Sequence, residues 1–109
     1  MFNLDEFDGK TKITNTSTAP KSVYTNIEDG KVIYISNSRT QKTYKLTFTE
    51  TSTKKFTAVA EYSDSEKTKK VQIPKNGKIV AIVLNNVIAI FIKDDNVYFC
   101  APDEVEFFE

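Results

Sequence analysis

Tyr44-Lys45-Leu46-Thr47-Phe48-Thr49 alternates apolar and polar side chains without an exception. Successive side chains on a pleated strand point to opposite sides, so a period of two is the mark of a strand with one buried face. The beat continues at Phe56, Ala58, Ala60 and Tyr62, which alternate with Thr57, Val59 and Glu61, and at Val71 and Ile73 with Lys70 and Gln72. Threonine and aromatic residues, which favour a pleated and half-buried surface, are frequent throughout, and no window carries a helix-spaced apolar stripe.

Turn signals punctuate these runs. Asp29-Gly30 reads as a two-residue hairpin turn, Ser63-Asp64-Ser65-Glu66 as a loop, and Pro74-Lys75-Asn76-Gly77 as a turn in which Pro sets the first φ and Gly the positive one. Asn85-Asn86 joins two apolar strands, and Asp94-Asp95-Asn96 closes the last hairpin. The predicted strands are 10–16, 22–28, 31–36, 42–49, 55–62, 67–73, 78–84, 87–93 and 97–101, with looser polar loops at Asn15–Ser22 and Glu50–Lys55. About eight to nine short strands with short links imply an all-β fold: an antiparallel β-sandwich, Ig-like or jelly-roll-like, or a small barrel. The chain's 109 residues suit one domain, divided here into an acidic N-terminal arm (1–8), a β domain (9–101) and an acidic C-terminal tail (102–109).

Charge supports that division. The 15 basic and 15 acidic residues cancel, yet every basic residue lies in 9–101, while Asp5, Glu6, Asp8, Asp103, Glu104, Glu106 and Glu109 crowd the ends. A basic body with acidic ends implies a partner or a tail that docks on its own domain. Each end also mixes its carboxylates with two Phe and one aliphatic residue: Phe2, Leu4 and Phe7 in the arm, and Val105, Phe107 and Phe108 in the tail.

Residues 78–93 form the most apolar segment. With Asn85-Asn86 as a two-residue turn, one side of the ribbon carries Ile79, Ala81, Val83, Ile88, Ile90 and Ile92, and the other Val80, Ile82, Leu84, Val87, Ala89 and Phe91. An antiparallel ribbon with one face in water would alternate instead. Two readings follow: a hairpin at the centre of the core, covered on its second face by a terminal arm, or a hairpin with one face buried by another chain. The expected protein-facing residues are therefore Phe2, Leu4, Phe7, Val105, Phe107 and Phe108 on the ends, with Val87, Ile88 and Ile90 on the hairpin.

Several chemistries lack their residues. The chain has no His and one Cys, which leaves no imidazole base, no Ser-His-Asp triad and no thiolate zinc site. Cys100, in an apolar run, reads as a small buried hydrophobe. Asp94-Asp95 and Glu28-Asp29 are the nearest carboxylate pairs, and both suit turns better than acid–base work. No catalytic role, cofactor or metal is expected.

The strongest rival to protein binding is single-stranded nucleic-acid binding. The body has clustered lysines (Lys54-Lys55, Lys67, Lys69-Lys70, Lys75, Lys78) and strand aromatics as stacking platforms: Tyr24, Tyr34, Tyr44, Phe48, Phe56 and Tyr62. Residues Asp103–Glu109 resemble the acidic, aromatic tails of single-stranded DNA-binding proteins, but end on Glu109 rather than on an aromatic and lack the flexible linker. Arg39 is the one arginine among the 15 basic residues, a poor supply of phosphate forks.

The leading expectation is a non-catalytic protein–protein interaction module, a structural or accessory subunit of a larger assembly such as a phage or virus particle, decorating its capsid or associated with its tail. Its partners would be proteins, copies of itself included. A phage-encoded inhibitor of a host protein fits the same features. An acidic N-terminus and the break at Asn85-Asn86 in the longest apolar run argue against a cleavable signal peptide and a spanning helix of about 20 residues, so a cytoplasmic or virion location is expected.

Overall fold

A computed structural model of the chain describes residues 1–14, 22–84 and 87–109. Among the described residues nine strands follow a short 3-10 turn at Leu4–Glu6: β1 (Ser22–Asn26), β2 (Val32–Asn37), β3 (Lys42–Ser52), β4 (Lys55–Tyr62), β5 (Thr68–Pro74), β6 (Val80–Val83), β7 (Val87–Lys93), β8 (Asn96–Cys100) and β9 (Val105–Phe108). They form two antiparallel sheets, a five-stranded one ordered β5-β4-β3-β2-β9 and a four-stranded one ordered β1-β8-β7-β6. Among the described residues no strand of one sheet pairs with a strand of the other, which makes the fold a sandwich rather than a closed barrel.

The period-two segments build the inner faces. In the five-stranded sheet Tyr44, Leu46 and Phe48 face inward beside Tyr62, Ala60 and Ala58 of β4, and the register carries the same face to Ile33 and Ile35 of β2. In the four-stranded sheet Val97 and Phe99 of β8 point inward with Ile88, Ile90 and Ile92 of β7 and Ile82 of β6. Phe48 and Phe99 meet edge-on across the sandwich, with centroids 6.3 Å apart. Edge-to-face rings add about 0.5–1.5 kcal/mol to the burial itself.

Two turns behave as read, and one does not. Asp94 and Asp95 both have positive φ (52° and 62°), the pair that a two-residue primed turn requires, and they close the β7–β8 hairpin between Lys93 and Asn96. Gly77 has the expected positive φ of 87°. Asp29-Gly30 is a tight turn with Gly30 at φ 87°, yet it joins no hairpin: β1 pairs with β8 and β2 with β3, so the turn carries the chain between sheets. It is pinned to β3, where Gly30 N–H donates to Phe48 O (2.8 Å) and Glu50 N–H donates to Asp29 Oδ1 (2.9 Å). Turn chemistry sets where the backbone reverses; long-range pairing sets which strand lies next to which.

The β6–β7 register also differs from the expectation, by one residue. Val83 pairs with Val87, Ile82 with Ile88, Ala81 with Ala89 and Val80 with Ile90. Ile82 therefore joins Ile88 and Ile90 in the core, while exposed Ala81 and half-buried Ala89 face outward. A slip of one residue turns a strand over, and here both of its sides were apolar, so pattern alone did not oppose the slip. The Asn85-Asn86 turn, the side chains of Val83 and Val87, and most of the Asn15–Ser22 loop lie outside the described residues.

The segment read as a strand at 10–16 is described to Thr14 and forms a single bridge, Lys12 with Phe108. Thr11 and Glu109 exchange backbone hydrogen bonds of 2.9 Å, and Ile13 N–H donates to Phe107 O (2.8 Å), so this segment lies along the outer edge of β9.

Candidate interaction surface

The ends pack on this chain's own domain. The tail supplies β9, which pairs with β2 in the register Ile35 with Phe107 and Asn37 with Val105, so Phe107 and Val105 enter the core. The N-terminal arm lies on the outer face of the same sheet. Phe2 and Phe7 each sit 5.9 Å from the ring of Tyr34, Phe7 meets Phe108 edge-on at 4.9 Å, and Lys45 Nζ donates to Glu6 Oε1 at 2.7 Å. Burial pushes the Tyr34 phenol above its usual range. The hydrogen bond from Lys45 holds the Glu6 carboxyl below its ordinary value, and the same bond raises the Lys45 ammonium.

Of the residues expected to face a partner, Phe2, Val105, Phe107, Ile88 and Ile90 are thus buried inside the chain, and Phe7 and Phe108 are half-buried against each other. Their apolar surface is already spent on intramolecular contacts. Leu4 alone among those described stays exposed. The arm covers the five-stranded sheet, not the second face of the apolar hairpin.

The tail's carboxylates find the body's cations one by one: Glu104 with Arg39 (3.3 Å), Glu106 with Lys12 (3.1 Å) and Glu109 with Lys31 (2.9 Å). Glu109 has a second partner, since the Thr25 hydroxyl donates to its Oε2 at 2.7 Å. Thr25 belongs to β1, so this one carboxylate ties the four-stranded sheet to the tail of the other at the seam between them. Burial alone would raise the Glu109 carboxyl, but the hydrogen bonds from Lys31 and Thr25 outweigh it and the net shift is downward. A carboxylate depressed in the folded state stabilises the fold above its unfolded value of about 4.3, and that contribution is lost as the pH falls through the lower folded value. The melting-temperature gap between the wild type and Glu109→Gln is accordingly expected to be widest near about pH 6 and to close toward about pH 3. Melts across that range check it; a gap independent of pH would mean that the carboxylate's charge has no part in holding the seam.

The outer faces of the two sheets differ in kind. That of the five-stranded sheet is covered by the arm over Tyr34, Phe108 and Lys45, and beyond the arm it is mainly polar, with Thr43, Thr47, Lys55, Thr57, Lys70 and Gln72 beside Val59. That of the four-stranded sheet carries a ladder of rings. The registers set Tyr24 of β1 opposite Tyr98 of β8, and Tyr98 opposite Phe91 of β7. Phe91 and Tyr98 are parallel to within 2° at 4.7 Å, and Tyr98 and Tyr24 follow at 5.4 Å and 28°. These spacings are close to the distance between neighbouring strands, about 4.8 Å, so the rings stand upright and turn their faces to one another. Their edges point away from the sheet; Tyr24 is 43% exposed. Beside the ladder runs a row of small side chains, Ser22, Cys100, Ala89 and Ala81. Cys100 is half-buried on this face rather than in the core. Ile79, just before β6, is 63% exposed, and extending the β6–β7 register by one residue sets it beside Phe91.

The ladder was not legible in the sequence as a site. Tyr24 is among the strand aromatics expected as stacking platforms, but Phe91 and Tyr98 carry no signal beyond strand periodicity. Of the other platforms, Tyr44, Phe48, Phe56 and Tyr62 are in the interior, and Tyr34 is beneath the arm. A shallow cleft of about 470 Å³ opens at the far end of β3–β5, lined by Thr53, Lys54, Lys55, Pro74, Lys75 and Asn76, where Lys75 pairs with Glu50 and Lys55 donates to Gln72. Among the described residues no three His, Cys, Asp or Glu side chains gather as a metal site, and no helix is long and apolar enough to cross a membrane. Compared with known proteins, the chain matches no family model, no curated protein and no solved structure.

Proposed function

We propose that this chain is a non-catalytic protein–protein interaction module that meets its partner through the outer face of the four-stranded sheet. The observation that carries the reading is the upright ladder Tyr24–Tyr98–Phe91 with its flat row of small neighbours. The aromatic edges offer apolar area at low entropy cost, and aromatic residues are enriched in protein interfaces; the small, uncharged strip beside them leaves a flat surface for a partner to approach. The nearest polar groups of the register, Asn26, Asn96 and Lys93, form a rim at one end.

The same geometry disfavours single-stranded nucleic acid as the ligand. A base stacks on an open ring face, and these rings spend their faces on each other; most of the lysines of the strands lie on the other sheet. A place in a phage or virus particle, as a capsid-decorating or tail-associated subunit, is supported by composition alone: a Thr-, Asn-, Lys- and Ile-rich β domain.

A photo-crosslinking residue placed at Ala89, in the strip, and in a second variant at Thr47, on the opposite sheet, tests the reading in the protein's native setting. The expected result is a discrete protein adduct from position 89, lost when Tyr98→Lys is added, and none from position 47. Adducts from position 47 alone, or salt-sensitive binding of a labelled single-stranded oligonucleotide, would overturn it.

A further inference from the structure

The sandwich has four sheet edges, and they are not equally protected. Along the edge of the five-stranded sheet, β5 carries Lys69 and Lys70 and ends on Pro74, each a known deterrent to strand addition. The opposite edge, β9, is covered by Thr11–Ile13 through backbone hydrogen bonds. In the four-stranded sheet, β1 carries polar Ser22, Thr25 and Asn26. The remaining edge is β6, Val80-Ala81-Ile82-Val83, four aliphatic residues with no charge, no proline and no bulge, and among the described residues nothing pairs with its free side. Exposed Ile79 stands at its start.

We propose that this edge pairs with β6 of a second copy of the chain, antiparallel about a two-fold axis through Ala81. The pleat requires an axis through a residue, and Ala81 rather than Ile82 is the one that sets exposed Ile79 opposite an aliphatic residue. Inward-facing Val80 and Ile82 must meet inward-facing residues, and an axis through Ala81 sets Val80 opposite Ile82, whereas an axis through the Ala81–Ile82 peptide would oppose an inner residue to an outer one. The same register brings Ile79 into the paired region, opposite position 83.

Charge also points to a second copy. The chain's formal net charge is zero, and β6 has no charged side chain, so two copies meet without repulsion along the strand. The nearest cation, exposed Lys78, falls opposite Leu84 rather than opposite its own counterpart. The product is a continuous eight-stranded sheet with the two aromatic ladders on one surface. Four residues per strand make a small interface, so the dimer is concentration-dependent. The inference concerns the edge and does not depend on what the aromatic face binds.

Sedimentation equilibrium of the full chain, up to about 1 mM, tests it. The expected result is an average mass rising from 12.4 kDa toward twice that value. Ala81→Lys and Ala81→Asp are each expected to stay monomeric with an unchanged circular dichroism spectrum, because position 81 faces itself across the axis. An equimolar mixture of the two is expected to regain the dimer, since Lys then opposes Asp. A wild type that stays monomeric throughout, or single variants that associate as the wild type does, would overturn the proposal. Hydrogen exchange on the unmodified chain gives a second reading: amides of 79–83 are expected to exchange more slowly at high protein concentration, and rates independent of concentration would count against the pairing.

Discussion

Phe107→Ala is expected to remove about 3–5 kcal/mol of folding stability. Its ring is 2% exposed, lies 4.6 Å from that of Phe99 across the sandwich, and enters the core on a strand paired with β2. Truncation to Ala forfeits the burial and leaves a cavity that two packed sheets cannot close. A domain of this size holds only about 5–15 kcal/mol in total. Each kcal/mol lost lowers the melting temperature by about 4–8 °C, so thermal melts followed by circular dichroism read the change directly. Phe108→Ala is the internal comparison. That ring lies on the other side of the sheet, half-buried beneath Phe7, and its loss is expected to cost about 1–2 kcal/mol. Equal, small effects at both positions would mean that β9 is not part of the core and that the tail is free to dock elsewhere.

The second large effect is expected at neighbouring positions of β7. Ile90→Asp should abolish cooperative folding, because Ile90 is fully buried between Val80 of β6 and Phe99 of β8, and the buried residues among those described include no Lys or Arg to pair with a carboxylate. An isolated buried charge costs several kcal/mol even after relaxation, and the lost side-chain burial adds about 1.5–3 kcal/mol. Phe91→Asp, one residue on, places the same carboxylate on the outer face beside Tyr98 and is expected to keep the fold while breaking the ring ladder. Near-UV circular dichroism separates the two: tertiary signal lost for Ile90→Asp, altered but retained for Phe91→Asp. The reverse pattern would mean that the hairpin presents its other side to the core.

Several features of this molecule are local in origin and could be read directly. Tyr44-Lys45-Leu46-Thr47-Phe48-Thr49 and Phe56–Tyr62 specify strands and also which side of each strand is buried, since alternation is a property of the backbone itself. The Asp94-Asp95 turn is local for the same reason, as is Gly77. The opposition of acidic ends to a basic body is composition, and the pairs Glu6–Lys45, Glu106–Lys12 and Glu109–Lys31 realise it within one chain. A tethered end competes for its own domain at a high effective concentration, which the charge pattern could not distinguish from docking on a neighbour.

Only the tertiary structure decided matters that depend on which strands become neighbours. Asp29-Gly30 has hairpin chemistry, but β1 finds β8 rather than β2, and no property of two turn residues encodes that choice. Val105-Glu106-Phe107-Phe108 alternates well enough at its start to be a strand, yet its carboxylates made it read as a tail until β2 offered it an edge. The β6–β7 register was open because both sides of the ribbon are apolar, and the core settled it by the one slip that buries Ile82 with Ile88. The ladder of Tyr24, Tyr98 and Phe91 is the furthest from the sequence, because it exists only when three strands from two ends of the chain are aligned to the residue. Periodicity determines a strand and its faces; adjacency and register are set by the summed packing of distant segments, and the aromatic ladder belongs to that second kind of information.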